Sequence, residues 1–149
     1  KISTAAAKIK LGLMDKLEIG NLDSKRDWGY APEYVAGMWK MLQINKPNDY
    51  VLATGKSFSV RNFIEESFNF LDIKVQWKGK GLNEYGINKK TGRKIVTINR
   101  RYFRPNDVNY LLGDSKKAKK ELKWESQTSF KKLVGIMTEH DYNYHKSKK

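Results

Sequence analysis

Arg101-Tyr-Phe-Arg104-Pro-Asn-Asp107-Val, and then Leu-Leu-Gly-Asp114-Ser-Lys-Lys-Ala118-Lys-Lys-Glu-Leu122-Lys-Trp124, joins a fixed arginine and a carboxylate to a short amphipathic helix. Pro105 disfavours helical backbone at Arg104 and stiffens the approach to it. A guanidinium fork held in this way can grip phosphate oxygens with two donors at once. A carboxylate three residues later, Asp107, can accept from vicinal hydroxyls. The pair therefore suits a ribose diphosphate, and it equally suits a structural ion pair; the residues alone leave both readings open. Arg100 and Arg101 add charge that solvation alone would satisfy.

Upstream, Ile19-Gly20-Asn21-Leu-Asp-Ser-Lys-Arg26-Asp27-Trp28-Gly29 sets a second arginine just before an aromatic anchor. If Trp28 packs down it holds the loop, and Arg26 then needs little ordering to clamp a phosphate. The plainer reading is a surface ion pair of Arg26 with Asp23 or Asp27.

Outward from these motifs the chain reads as a mixture of helices and short strands. Ile2, Ala6, Ile9 and Leu13 fall at helical spacing over residues 1–13. A short strand follows at Lys16–Gly20. Pro32 opens a helix through about Ile44, its missing N–H costing nothing in the first turn. Tyr34, Val35, Met38, Trp39 and Leu42 form one apolar face of that helix and are read as core. Residues 50–54 are apolar throughout, as in a strand covered on both faces, and Gly55 ends them. Ser59 is placed to cap a helix that buries Val60, Phe63, Ile64, Ser67, Phe68 and Leu71. Ile73–Trp77 alternates like a strand, Lys89-Lys-Thr-Gly92-Arg reads as a hairpin turn, and Ile95–Ile98 is the return strand. Asp114 caps a short helix ending near Leu122. Thr128 or Ser129 caps the last helix, whose stripe is Phe130, Leu133, Val134 and Met137, and residues 145–149 read as frayed. Residues 50–54 have no evident partner strand here, which implies a sheet completed from outside the chain. The start at Lys1 rather than methionine also reads as a piece of a longer protein.

Composition narrows the classes. With 149 residues, 39% hydrophobic and 12% aromatic, one domain with a modest core is expected rather than disorder. No cysteine is present, which excludes disulfides, thiolate ligands and a cysteine nucleophile, and fits a reducing, cytoplasmic setting. No apolar run approaches the roughly 20 residues that span a bilayer. The net charge of +14 suits a polyanion, but the lysines are spread along the chain and no nucleic-acid-binding motif accompanies them. An anionic small molecule would use the same field.

Catalytic motifs are sparse. No G-x-G-x-x-G follows a strand, so a dinucleotide cradle is absent from the sequence. Tyr85/Lys89 and Tyr142/Lys146 match Y-x-x-x-K, yet eight tyrosines among 24 lysines make such matches chance events. Two histidines, His140 and His145, form no metal-binding pattern.

The two motifs in this order, with Tyr34-Val35, Met38-Trp39, Asp49-Tyr-Val, Ala53-Thr-Gly55, Ser59-Val-Arg61, Trp77-Lys-Gly-Lys-Gly81 and Leu112-Gly-Asp114 between and after them, resemble the GDP-mannose 4,6-dehydratase family of extended short-chain dehydrogenases. The resemblance covers nearly the whole chain and implies an α/β fold: the C-terminal, substrate-binding part of such an enzyme, residues 1–149, without the N-terminal Rossmann region. The helix at 31–44 and the strand at 50–54 would complete that region. It implies conversion of GDP-mannose to GDP-4-keto-6-deoxymannose with NADP: hydride leaves C4, the C5 proton is abstracted, water departs from C6 and hydride returns there. The family's NADP loop and catalytic residues precede the part matched, so no catalytic or cofactor-binding residue is expected here, and the chain alone should be inactive. By the same resemblance Arg26 and Arg104 hold the diphosphate and Asp107 the ribose. Leu17 and Ile19 lie along the guanine, with Lys1 nearby. A homo-oligomer is implied for the full-length enzyme. Asp107 stands where the family usually has glutamate, Tyr30 for a common histidine and Thr4 for a common arginine. A part of a related nucleotide-sugar epimerase or dehydratase, a basic nucleic-acid-binding module and a degenerate fragment without function are the alternatives.

Overall fold

The computed structural model describes residues 1–149. The chain starts as helix α1, Ile2–Lys10, whose Ala5, Ala6 and Ala7 are almost wholly buried. Small side chains there let α1 approach the helices it packs against. It ends earlier than its periodicity suggests, because Gly12 turns the chain with φ +73°. Strand β1 (Leu17–Ile19), the two-residue β2 (Lys25–Arg26) and helix α2 (Ala31–Met41) follow. Next come β3 (Phe58–Ser59), helix α3 (Val60–Phe70), and strands β4 (Val75–Lys78), β5 (Tyr85–Asn88) and β6 (Lys94–Ile98). Helices α4 (Lys116–Leu122) and α5 (Phe130–Lys146) close the chain.

Two sheets result. One has the order β1-β6-β5-β4, with β1 parallel to β6 and the other neighbours antiparallel. The other pairs β2 with β3. The β5–β6 hairpin turns at Lys89–Gly92 as the sequence indicates, Gly92 taking φ +72° while its N–H donates to the Asn88 carbonyl. The core lies where α1 and α3 cover the sheet: Ala5, Ile9, Leu17, Ile64, Phe68, Ile95 and Val96 meet there. Ser59 caps α3 by a reciprocal box, its Oγ accepting from the Asn62 N–H and its N–H donating to Asn62 Oδ1, each at 3.1 Å.

Two expectations are corrected, the buried face of α2 and the frayed end of α5. The face of α2 that periodicity assigns to the core is exposed: Val35 and Trp39 at 62%, Met38 at 57%, Leu42 at 81%. Periodicity reports that a face is apolar, not what covers it. Residues 50–54 pair with no strand of this chain, in line with the missing partner noted in the sequence; Ala53 is buried and Leu52 packs on a small cluster of Ala118, Leu122 and Trp124. Ser115 holds the N-cap position of α4 but makes no side-chain cap bond; the Asp114 carboxylate, as expected, accepts from the first helical N–H, that of Lys116. Helix α5 runs on to Lys146 instead of fraying at 145, capped at its start by Ser129, and Met137 is 40% exposed.

Glu33 on α2 ties down the link to α5. It accepts from Ser126 Oγ (2.8 Å), the N–H groups of Gln127 (3.2 Å) and Thr128 (2.9 Å), and Thr128 Oγ1 (2.6 Å). Burial favours its neutral form, but these four donors outweigh that and hold the carboxyl below its ordinary value of 4.5. A folded-state value lower than the unfolded one means that the stabilisation is complete above about pH 4.5 and is lost as the pH falls through the folded value. Urea midpoints measured from about pH 7 down to pH 3 should therefore fall less steeply on acidification in Glu33→Gln than in wild type, from a lower plateau. Parallel curves would exclude Glu33 as an acid-sensitive tie.

Candidate nucleotide-binding site

The local fold brings the two arginine motifs together. β2 is held on one side by β3 and on the other by residues 109–111: the Lys25 N–H donates to the Asn109 carbonyl, and the Leu111 N–H to the Lys25 carbonyl. Arg26 therefore emerges beside Asp107 and Val108. Its guanidinium donates to Asp107 Oδ1 (2.9 Å) and to the carbonyls of Val108 (2.6 Å) and Lys25 (2.8 Å). Asp107 also accepts from Ser24 Oγ at 2.8 Å. The Ser24 hydroxyl first, and then the Arg26 charge, hold its carboxyl below the usual carboxylate range. Arg26 is thus ion-paired, but with Asp107 rather than with Asp23 or Asp27. Asp23 is taken by Arg61, which also forks onto Glu84. Asp27 accepts from Thr54 and from the N–H groups of Gly55 and Gly113, fixing the loop from behind. Trp28 is the anchor the sequence suggested, packed edge-on against Phe63 and stacked on Phe130.

The second motif docks on the first through Asn21. Its Oδ1 accepts from the Arg104 N–H (2.9 Å) and its Nδ2 donates to the Arg104 carbonyl (2.8 Å). This fixes the Arg104 backbone and leaves the guanidinium outside; Arg26, Arg61 and Arg93 are the arginines in ion pairs. Gly20 makes the docking possible, because the Tyr102 carbonyl lies where a Cβ would be. Asn21, Ser24 and Gly20 were not singled out from the sequence. Their contacts span about 80 residues, and no local pattern signals them.

A cleft of about 330 Å³ results, lined by Lys1, Ile19, Gly20, Asn21, Arg26, Arg101, Tyr102, Arg104 and Asp107. Five of the six residues singled out from the sequence meet here. Four cationic side chains face one carboxylate, so the cleft suits an anion. Arg101, which solvation alone could explain from the sequence, belongs to it. Leu17 is 1% exposed and its side chain is in the core, and Ile19 packs partly against that core. Ile19 nonetheless lines this cleft, and Glu18 between the two is partly exposed. The Lys1 ammonium lies 3.6 Å from the centroid of the Tyr102 ring. A separate cleft of about 500 Å³, between residues 53–58, 112–119 and 125–130, contains none of these groups. No group of His, Asp and Glu is placed to hold a metal ion, and no helix is long and apolar enough to cross a membrane.

The fold is that of the extended short-chain dehydrogenases. Solved structures that share it include RMD from Pseudomonas aeruginosa complexed with NADPH, with a TM-score of 0.74 over 96% of this chain and 42% of that one, at 16% identity. Another is the dTDP-glucose 4,6-dehydratase of Bacillus anthracis in complex with NAD, with a TM-score of 0.69 over 98% and 40%, also at 16% identity. Within that class the chain belongs to the GDP-mannose 4,6 dehydratase family, whose family model matches residues 1–137. It is 48% identical to the GDP-mannose 4,6-dehydratase of Sinorhizobium fredii over 97% of its length, and 47% identical to that of Homo sapiens over 95%. It spans 41% and 38% of those two proteins. The family is one of hydro-lyases.

Proposed function

We propose that this chain is the nucleotide-sugar-binding portion of a GDP-mannose 4,6-dehydratase. The whole enzyme would convert GDP-mannose to GDP-4-keto-6-deoxymannose with loss of water, as a cytoplasmic homo-oligomer. The observation that carries this reading is the convergence of Lys1, Arg26, Arg101 and Arg104 on one cleft beside Asp107, in a chain of this family. Arg104 grips the diphosphate with an unpaired fork, while Arg26 does so with the donor capacity left beside Asp107. The Asp107 carboxylate has two partners and room for a ribose hydroxyl, since each oxygen can accept twice.

NADP serves the whole enzyme, but the residues present do not form its site. No strand here leads through a glycine-rich turn into a helix N-terminus. The cofactor and the catalytic groups belong to the rest of the enzyme. The uncovered face of α2 (Val35, Met38, Trp39, Leu42) and the unpaired segment 50–54 would complete its Rossmann domain, which explains why an apolar face this large stands exposed.

The test is calorimetric titration of the purified chain with GDP-mannose, UDP-glucose and a DNA duplex. Saturable binding of GDP-mannose is expected, with no dehydration of it by this chain alone. Binding of the duplex that GDP-mannose does not displace would replace this reading with the basic nucleic-acid module. Turnover by the isolated chain would overturn the assignment of catalysis to the rest of the enzyme.

A further inference from the structure

A second cleft of about 420 Å³ adjoins the first and shares Lys1 and Tyr102 with it. Thr4, Ala5, Met14, Asp15, Lys16, Leu17 and Glu18 complete its lining. Its apolar wall comes from Met14, Ala5 and the half-exposed Tyr102 ring, one face of which carries the Lys1 ammonium; a flat heteroaromatic ring can lie on what remains open. Four charged groups line it, Lys1, Asp15, Lys16 and Glu18, and the last two form a pair. The Glu18 carboxylate is aimed by Asn99, whose Nδ2 donates to Oε2 at 3.0 Å, and the Lys16 ammonium lies 3.4 Å from Oε1. Residues 16 and 18 project on the same side because strand β1 alternates, while Leu17 is in the core and Ile19 packs partly against it. The Asn99 hydrogen bond first, and then Lys16, hold the Glu18 carboxyl below its usual value, so it is an acceptor only.

An acceptor pair beside an ammonium donor is complementary to one nucleobase edge. Guanine offers, side by side, an acceptor at O6 and donors at N1 and N2. The carboxylate can take both donors while the lysine meets O6. Adenine has an acceptor at N1, which the carboxylate repels. Uracil has one donor flanked by two acceptors, so one carboxylate oxygen would face a carbonyl. We propose that Glu18, with Lys16, reads the guanine of the bound nucleotide, making this pair the base-specificity determinant while the arginine cleft holds the diphosphate. This rests on the nucleotide-sugar reading above, and it gives the polar edge of the base to Lys16 and Glu18, beside Leu17 in the same cleft. The wrong base sets an acceptor against the carboxylate, and that repulsion is what separates the bases at this exposed pair.

The experiment is titration of wild type, Glu18→Gln and Lys16→Ala with GDP, inosine diphosphate, ADP and UDP. Wild type should prefer GDP to UDP and ADP by about tenfold or more, and to inosine diphosphate, which lacks the N2 amino group, by a smaller factor. Glu18→Gln keeps an amide oxygen for Asn99, so the fold is retained, and its GDP affinity should drop about tenfold while UDP binding stays the same. Lys16→Ala, at an exposed position, should lower the GDP-to-ADP ratio from the other side of the pair. Unchanged base preference in both variants, or equal affinities for GDP and UDP in wild type, would overturn this inference and leave the diphosphate reading standing. No diphosphate binding by wild type would overturn both.

Discussion

Arg104→Ala is expected to weaken GDP-mannose binding by about a hundredfold while leaving the melting temperature within about 2 °C of wild type. The two halves of that statement have different causes. The Arg104 backbone is held by Asn21 through its N–H and carbonyl, and an alanine keeps both contacts. The guanidinium enters no ion pair, so its removal strands no partner in the protein. On the ligand side, a charge-assisted hydrogen bond is worth about 1.5–3 kcal/mol, and solvent screening leaves the bidentate grip of this exposed arginine worth about one such bond, a range that includes the ~2.7 kcal/mol of a hundredfold. Arg104→Lys should recover part of the loss, because a point charge remains, but not the fork. Titration calorimetry and thermal melts of the same samples decide the matter. Unchanged affinity would remove Arg104 from the site, and a large fall in melting temperature would make it a structural residue.

The contrast with Arg26 shows how far the sequence could be read. Both arginines were legible as candidates, because Pro105 and Trp28 mark segments whose backbones are fixed. That Arg26 is itself satisfied by Asp107, 81 positions away, was not legible, since nothing local to either residue specifies the other. The same holds for Arg61, whose two carboxylate partners, Asp23 and Glu84, come from different loops. Local devices were read correctly: the Ser59 cap, the Lys89–Gly92 turn and the buried stripe of α3 each depend on residues within a few positions. The face of α2 shows the limit from the other side. Its helical period is present and the helix forms, yet Trp39 and Leu42 are exposed. Whether an amphipathic face is buried depends on a partner surface, and the pattern carries no information about which chain segment supplies it. For β1 the alternation was available in the sequence, but without the sheet it did not say which of its side chains reach the two clefts.

Gly20→Ala tests the geometry on which the site depends and should be the most damaging single methyl group that can be added near it. Gly20 is buried at the end of β1, against the turn in which the N–H groups of Tyr102 and Phe103 donate to the Asn99 carbonyl. A Cβ there would stand 2.6 Å from the Tyr102 carbonyl carbon and closer still to its oxygen, where real Cβ atoms essentially never come within 3.0 Å. The obstacle is backbone, not a side chain that can rotate away, so either β1 or the turn must move. Overpacking of this kind costs about 1–3 kcal/mol where side chains can yield, and more is expected where they cannot. If the turn moves, it takes with it the Tyr102 wall and the Asn21–Arg104 bonds, which are made one residue beyond Gly20 and two beyond Tyr102. Gly20→Ala should therefore lose GDP-mannose binding and stability together, the combination that Arg104→Ala separates. Urea unfolding followed by titration of the folded variant reads both. A stable Gly20→Ala that still bound GDP-mannose as wild type does would mean that the 99–104 turn does not close the site as the structure places it, and the arginine cleft would lose its frame.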